Sequence, residues 1–593
     1  MSSPAPLQTN ILRVFDLIPY MQRKYPQKTV FCSKKDNEWV KYTTSQYGEL
    51  ADLVSSALLN AGINKGDNII SITRNRIEFN LVDMGLLQIG AVHVPLYPNI
   101  DDEKLKHIIR EIDCKFIFAG SKALYSRIKL QSPKISVPFK LVSFDKFDGA
   151  YHFDEFLRTG KENYKSGNLN AFKAAVKPDD TASITYISGA TTDVRGVELS
   201  HRNHVANFLS STKFMELKTG MNCISLLPLA HSYERGINYG LQYLGVTVWY
   251  NENFKSLQNE LQEVKPDVLY IVPLIANRFY YNFFIQDSRS NFFRKFIVRH
   301  AMEFAENFRP GISSTKTLAY KFWDSLIFSN WRKIAGGKLQ IIFCGGAALQ
   351  PHIHNAFHAA GIALYEGYGL TEAGPIVAFN NEKKHKSFSE GQPLENAKIK
   401  IADDGEVLVK STSVMKGYYK NPIATSEAID AEGWLHTGDK GMIDDKGFLT
   451  LTGVKKNIFK LSSGLYADPA FIEHELIQSE FIRQAWVFGE NQEFLSAILI
   501  PDFDSLETWR HEQGLGFIES MDLLSIPEVS ELLSAEIRKY NDSFQRPDRI
   551  MKYEFVHDLW ALATGEYDGT GKLNRDKLKE KYKEILSGFY PSR

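Results

Sequence analysis

Four well-separated segments carry residue types that could do phosphate and carboxylate chemistry. The first is Tyr186-Ile-Ser-Gly-Ala-Thr-Thr-Asp-Val-Arg-Gly-Val197, in which a β-prone run enters small hydroxyl residues and two glycines, with a cation near the end. Such loops cradle phosphates through backbone N–H groups and hydroxyls, although an ordinary turn has the same composition. It lacks the Gly-Lys-Ser/Thr ending of a Walker A loop. The second is Tyr365-Glu-Gly-Tyr-Gly-Leu-Thr-Glu-Ala-Gly374. Its glycines permit a close backbone approach to a flat ligand, and Tyr368 between them offers a ring face. Thr371 and Glu372 add a hydroxyl and a carboxylate, suited to a phosphate oxygen and a hard metal ion. No third glycine completes a dinucleotide fingerprint after Gly367 and Gly369. The third, Gly433-Trp-Leu-His-Thr-Gly-Asp439, ends on a carboxylate able to grip two sugar hydroxyls or merely to close an Asx-turn. The fourth, Thr564-Gly-Glu-Tyr-Asp-Gly-Thr-Gly-Lys-Leu-Asn-Arg575, presents Lys572 on a glycine-rich stretch, where a solvated lysine is the plainer reading.

The elements that must position these segments read as mixed α/β. Over residues 45–120 helix-like stretches alternate with short apolar runs, Asn68–Thr73, Ala91–Pro98 and Lys115–Gly120, the rhythm of βαβ units. Residues 160–180 are polar and turn-rich and read as a surface connector. Residues 280–335 combine aromatic and basic residues at helical spacing; they read as an amphipathic helix packed on the body, with a lipid-facing helix as the alternative. From residue 397 the texture turns to hairpins, around Asp403-Asp-Gly405 and Asp444-Asp-Lys-Gly447. Beyond about residue 455 it returns to α/β. The expected organisation is a large N-terminal layered αβ domain over 1–453 and a small C-terminal α+β domain over 454–593.

Composition narrows the function classes. The 593 residues suggest roughly four domain-sized units at about 150 residues each. Lys plus Arg and Asp plus Glu both number 70, a balance that argues against nucleic-acid binding. Four scattered cysteines, Cys32, Cys114, Cys223 and Cys344, exclude a disulfide framework or zinc ribbon. No Gly-x-Ser-x-Gly elbow marks a serine hydrolase, and His474-Glu475 lacks the second histidine of a zinc hydrolase. Without a secretory leader or long apolar run, a cytoplasmic setting is expected, with peripheral contact at the inner membrane surface kept open by 280–335.

The order of these segments resembles that of the adenylate-forming superfamily of acyl-CoA synthetases, luciferases and peptide-synthetase adenylation domains. The likeness is nearest to bacterial long-chain fatty acyl-CoA synthetases. It also takes in Asn75-Arg-Ile-Glu-Phe79, Gly90-Ala-Val-His-Val-Pro-Leu-Tyr-Pro98, Leu227-Pro-Leu-Ala-His231 with Tyr233-Glu-Arg235, and Gly345-Gly-Ala-Ala-Leu349. The resemblance implies activation of a fatty acid by ATP and Mg²⁺ to an acyl-adenylate, then transfer to coenzyme A. It implies small-molecule substrates and no obligate protein partner. By the same resemblance Ser188, Gly189, Thr191, Thr192 and Arg195 would hold the β- and γ-phosphates. Gly345, Gly346 and Ala347 would approach the adenine, with Tyr368 and Gly369 beside the ring. Thr371 would meet the α-phosphate, Glu372 the Mg²⁺, and Asp439 the ribose. Lys572 would bridge carboxylate and α-phosphate, Lys456 would be the hinge, and His231 would sit beside the carboxylate pocket. Residues 275–335 would line the acyl channel.

The phosphate loop departs from the family pattern, with Ala190, Thr192, Val194 and Arg195 where threonine, glycine, proline and lysine are usual; Val454 stands at an arginine position. Two further readings therefore stay open: a degenerate paralogue that binds nucleotide or acyl groups with little catalysis, and an acyl-AMP ligase with another acceptor.

Overall fold

The structure, a computed structural model, describes residues 11–26, 28–35, 37–135, 137–162, 166–188, 194–251, 255–280, 292–308, 317–347, 349–454, 459–462, 466–467, 469–490, 492–515, 520–544, 548–561, 564–567 and 573–590. Two large sheets organise the N-terminal part. One has nine strands, in the order Gln392–Pro393, Ile376–Phe379, Ala363–Gly369, Ile341–Gly345, Val268–Ile271, Asn222–Ser225, Thr247–Tyr250, Thr29–Lys35, Glu38–Thr43. Its central pairings are parallel and its outer ones antiparallel. The other has seven, in the order Gly417–Tyr418, Val194–Ser200, Thr181–Ser188, Val92–Leu96, Asn68–Ile72, Phe116–Ala119, Lys140–Ser143. The three apolar runs expected as strands in 68–120 are inner strands of this sheet, which is why they read as continuous apolar stretches.

One apolar cluster draws Phe31, Val248 and Phe343 from the first sheet and Ile69, Phe116 and Ala182 from the second. Tyr47, Val82, Phe208 and Tyr239 join it from the helices Thr44–Asn60, Ile77–Gln88, His201–Met215 and Ser232–Leu244. Eleven of the twelve residues of Ile77–Gln88 are buried, Asp83 among them. Burying a lone carboxylate is prohibitive, so it must be paired. Asp83 accepts from the Arg235 guanidinium, from Tyr239 Oη (2.6 Å), and from His93 Nδ1 (2.7 Å). Arg235 Nε donates to Tyr239 Oη (2.8 Å), and His93 Nε2 lies 2.7 Å from Ser71 Oγ. Burial alone would raise the Asp83 carboxyl; Arg235 and His93 overcome it and hold the group below the ordinary carboxylate range. This network fastens the helix Ser232–Leu244 to Ile77–Gln88 and the strand Val92–Leu96.

His201 opens its helix with no exposed surface, and its Nδ1 accepts from the Val14 backbone N–H (3.3 Å). Burial pushes the ring down to about 4. The folded state thus binds its proton less readily than the unfolded chain, so this stability is complete above about pH 6.5 and is lost as pH falls toward 4. At about 1.4 kcal/mol per unit the loss is roughly 3 kcal/mol. Urea unfolding at neutral pH and in mild acid is expected to show an acid-side loss larger by that amount in the wild type than in a His201→Gln variant.

Residues 397–454 form a four-stranded antiparallel sheet, Ala397–Ile401, Glu406–Ser411, Leu435–Ile443 and Leu449–Val454, with both expected hairpin turns in place. Gly405 and Gly447 take φ of +84° and +80° at those turns, which is why glycine follows the acidic pair. The 280–335 region is helical where described: Phe292–Glu306, Leu318–Trp323, a π-helical turn Asp324–Phe328, and Ser329–Ile334. The 160–180 stretch is not a bare connector. The helix Ser166–Ala175 lies within it, with Leu169 buried and Lys173 Nζ 2.7 Å from Asp52.

The C-terminal part is a three-stranded sheet, Ile482–Phe488, Leu495–Pro501 and Ile550–Phe555, packed by helices that include Pro469–Leu476 and Pro527–Ser543. Among the described residues no apolar cluster joins side chains before residue 454 with those after 460. The smaller part has its own core.

Candidate functional site

Three parallel strands of the nine-stranded sheet deliver three expected motifs at their carboxyl ends, where open α/β sheets bind ligands. Asn222–Ser225 leads to Leu227–His231, Ile341–Gly345 to Gly346 and Ala347, and Ala363–Gly369 to Thr371 and Glu372. Asn75 fixes the first loop. Its Nδ2 donates to Ser225 Oγ (2.9 Å) and the Leu227 carbonyl (2.6 Å), and its Oδ1 accepts from Leu229 N–H (3.0 Å). The loop runs into the helix Ser232–Leu244, whose N-cap is His231; its Nδ1 accepts from Tyr233 N–H (3.2 Å). Ser232 Oγ, on the first turn, lies 2.8 Å from Thr371 Oγ1. Thr371 is thereby held at a helix N-terminus, which favours an anion.

The segment Tyr368–Glu372, at the end of a strand of the nine-stranded sheet, also touches the four-stranded and the seven-stranded sheets. Tyr368 is buried, and its hydroxyl donates to Asp439 Oδ2 at 2.6 Å, on the strand Leu435–Ile443. Burial, reinforced by Asp439, pushes this phenol far up, so it remains a donor. Glu372 Oε1 accepts from Tyr418 Oη at 2.9 Å, on the edge strand of the seven-stranded sheet. The Arg195 guanidinium stands 5.4 Å from the Tyr418 ring centroid. Arg195, Tyr418 and Glu372 thus form one polar chain leading from the phosphate-loop strand to the Thr371 corner.

The glycines divide into two kinds. A Cβ on Gly369 would lie 1.9 Å from the Pro375 carbonyl oxygen, and one on Gly367 3.1 Å from that of Ala378. Their smallness accommodates the chain's own antiparallel neighbour. Gly346 differs: at φ +92° it is exposed, and among the described residues its missing Cβ would meet only a Val272 methyl, at 3.6 Å. A planar ring could approach there.

Of the expected residues, the structure brings together Thr371, Glu372, Tyr368, Gly369, Asp439 and Arg195, places His231 one residue from the Thr371 contact, and sets Gly345, Gly346 and Ala347 at a neighbouring strand end. Ser188 closes the strand Thr181–Ser188. Gly189, Thr191, Thr192, Lys456 and Lys572 lie outside the described residues. The register pairs position 439 directly with 454. Ser232, Tyr418 and Asn75 escaped sequence reasoning as partners. Ser232 and Asn75 stand inside or beside quoted motifs; Tyr418, in Lys416-Gly-Tyr-Tyr419, carries no local signal.

Together these features define a mixed α/β enzyme fold with a large N-terminal and a small C-terminal domain, its polar site at the carboxyl ends of a parallel sheet. The chain belongs to the AMP-binding enzyme family, the adenylate-forming class: residues 20–419 match that family, and residues 456–593 match the AMP-binding enzyme C-terminal domain. Similar proteins include long-chain-fatty-acid–CoA ligase FadD15 of Mycobacterium bovis, 27% identical over 575 residues, with 96% of this chain and 95% of that one covered. Human long-chain-fatty-acid–CoA ligase 1 is 29% identical over 591 residues, covering 93% and 82%. Among solved structures, the anthranilate CoA ligase AuaEII in complex with anthranoyl-AMP superimposes with a TM-score of 0.72 at 17% identity, covering 97% of this chain and 98% of that one. A Mycobacterium tuberculosis fatty acyl CoA synthetase gives 0.62 at 18%, covering 97% and 99%. Among the described residues no helix is long and apolar enough to cross a membrane.

Proposed function

We propose that the protein activates a long-chain fatty acid with ATP, forming an acyl-adenylate and pyrophosphate, and then transfers the acyl group to coenzyme A with release of AMP. The observation that carries this reading is the gathering, at the sheet's carboxyl edge, of Asp439 held by Tyr368, Glu372 held by Tyr418 and Thr371 held by Ser232. The relatives named as long-chain ligases support the substrate class. An open groove of about 570 Å³, lined by Phe304, Phe308 and Trp323 together with the polar His300, Glu303, Asn307 and Thr317, lies in the helices that the acyl channel would use.

In this reading Asp439, oriented by the Tyr368 hydroxyl, takes the ribose hydroxyls. Gly345, Gly346 and Ala347 meet the adenine edge, with Tyr368 and Gly369 on its far side. Thr371, at the helix N-terminus, meets the α-phosphate. Ser188, Gly189, Thr191, Thr192 and Arg195 hold the outer phosphates. Glu372 is the carboxylate suited to Mg²⁺, and the Tyr418 hydroxyl orients it; the bound ion would neutralise charge between the phosphates. His231 stands beside the fatty-acid carboxylate. Lys572 links carboxylate and α-phosphate, and Lys456 is the hinge between domains divided at 453 and 454. The exposed Leu318, Phe322 and Leu326, four residues apart in turn, form an apolar stripe for peripheral contact with a membrane surface.

The test is ATP–pyrophosphate exchange with fatty acids of graded length, followed by acyl-CoA formation. Exchange and CoA transfer that rise toward long chains are the expected result. Exchange without transfer to CoA would point to another acceptor. Exchange no faster than in a Lys572→Ala variant across the whole panel would overturn the catalytic reading and leave a nucleotide- or acyl-binding protein.

A further inference from the structure

The helix Pro351–Ala359 carries His354 and His358 four residues apart, hence on one face. The segment after the strand Ile376–Phe379 returns His385 over both. The His354 and His385 rings are stacked, with centroids 5.6 Å apart and planes within 8°. His358 lies 4.5 Å from His354 and 5.4 Å from His385, centroid to centroid. One ring nitrogen from each histidine lies within 4.8 Å of the other two.

Packing alone is a poor account of this cluster. His354 is 1% exposed, yet neither of its ring nitrogens makes a hydrogen bond, and His385 Nε2 is buried without one. Buried polar atoms are almost always satisfied, and each orphan costs about 1–3 kcal/mol. His358 is arranged differently. Its Nε2 lies 2.9 Å from the Leu364 carbonyl oxygen and 3.3 Å from the Leu364 N–H; the shorter contact favours the tautomer that donates Nε2–H to the carbonyl and leaves the lone pair on Nδ1. Donation of the second ring N–H to a carbonyl is the outer-shell arrangement that orients metal-binding histidines. Glu366 Oε1, from the strand Ala363–Gly369, lies 3.5 Å from His354 Nδ1, but among the described residues the three histidines alone make up the group of mutually close ligand atoms. Lysines of the covering segment carry counter-charges, Lys383 on Glu216 and Lys386 on Asp444, each at 2.8 Å.

We propose that His354, His358 and His385 bind a divalent transition-metal ion, zinc above all, which clamps the 381–390 segment onto the helix Pro351–Ala359. Three imidazoles suit zinc in ligand softness, and a solvent molecule completes the tetrahedron. Zinc–nitrogen bonds of about 2.0–2.1 Å set the nitrogens about 3.3 Å apart, so the side chains close by at most roughly 1.5 Å on binding. The ion would brace the helix that leads into the strand bearing Tyr368. It is separate from the Mg²⁺ position at Glu372 and does not depend on the proposed reaction.

The experiment uses full-length protein without a histidine tag, stripped by chelator and dialysed against zinc. Metal content is read by mass spectrometry, the unfolding midpoint by calorimetry, and the ligand field by the visible spectrum of the cobalt-substituted protein. The expected result is one zinc per chain, a zinc-dependent rise in midpoint, and a tetrahedral cobalt spectrum. His385 is only half-buried, so His385→Ala can be made without opening the core. It should lose zinc affinity by more than the ~10–100-fold that removal of an outer-shell partner brings, together with the midpoint rise. Absence of stoichiometric zinc in the wild type would overturn the proposal, as would zinc bound equally by His385→Ala and His358→Ala.

Discussion

Lys572→Ala is expected to slow acyl-adenylate formation by about 10²–10³-fold, the range for removing one preorganised group that stabilises developing transition-state charge. Transfer from supplied acyl-adenylate to coenzyme A should be nearly unchanged. The reason is electrostatic. Adenylation presses a carboxylate against a polyphosphate, and a compact ammonium on a flexible stem can reach oxygens of both. The flanks of the lysine are firmly held. On one side Tyr567 pairs with Leu573 as an isolated bridge, and its hydroxyl accepts from Gln484 Nε2 at 3.2 Å. On the other, Asn574 caps the helix Arg575–Lys581, and Arg575 makes a two-pronged ion pair with Glu473 at 2.8 and 2.9 Å. The Lys572 segment therefore springs from two anchored ends of the small domain. Thiol transfer needs no cation at the α-phosphate, so the two half-reactions should separate. Pyrophosphate exchange and single-turnover thiolysis measure them independently, and equal loss in both would contradict the assigned role. Lys572→Arg should rescue only in part, because the planar guanidinium fork cannot be aimed as a point charge.

The parts legible in the sequence were those with a local physical cause. Apolar runs at 68–72, 92–96 and 116–119 are strands buried on both faces, and the acidic-Gly turns at 403–405 and 444–447 close hairpins because glycine alone takes positive φ cheaply. The order of the nucleotide motifs revealed the family before any contact was known. What remained hidden were pairings across long sequence separations. Ser232 meets Thr371 over 139 positions, Tyr418 meets Glu372 over 46, and Asp83 meets Arg235 over 152. No local period encodes such pairs. Gly369 was legible as special, but the Pro375 carbonyl that its missing Cβ clears is a tertiary neighbour that the sequence does not announce. The helix Ser166–Ala175 was hidden because it is short and opens on the turn-forming residues Ser-Gly-Asn; what anchors it is Leu169 in the core and the Lys173–Asp52 pair, both tertiary.

Arg235 carries the largest expected effect on stability. Arg235→Met would keep much of the side chain's bulk but leave Asp83 in a fully buried position without its cation. Breaking a buried pair on one side costs about 3–5 kcal/mol, far more than the net worth of the pair. Asp83→Asn should also destabilise, while the double variant should lose less than the sum, since neither partner is then an unpaired charge. The pH dependence separates this cause from simple loss of packing. In the wild type Asp83 is held below the ordinary carboxylate range, so its contribution is present above that range and lost only as pH falls through it. In Arg235→Met burial would dominate and raise the carboxyl. The folded state then holds a proton that the unfolded chain has released, and stability falls as pH rises. The deficit of the variant against the wild type should therefore widen from mild acid to mild alkali in urea titrations. A deficit independent of pH would assign the effect to packing. Because Arg235 lies on the helix whose first turn presents Ser232 to Thr371, the same variant should weaken ATP binding even where it remains folded.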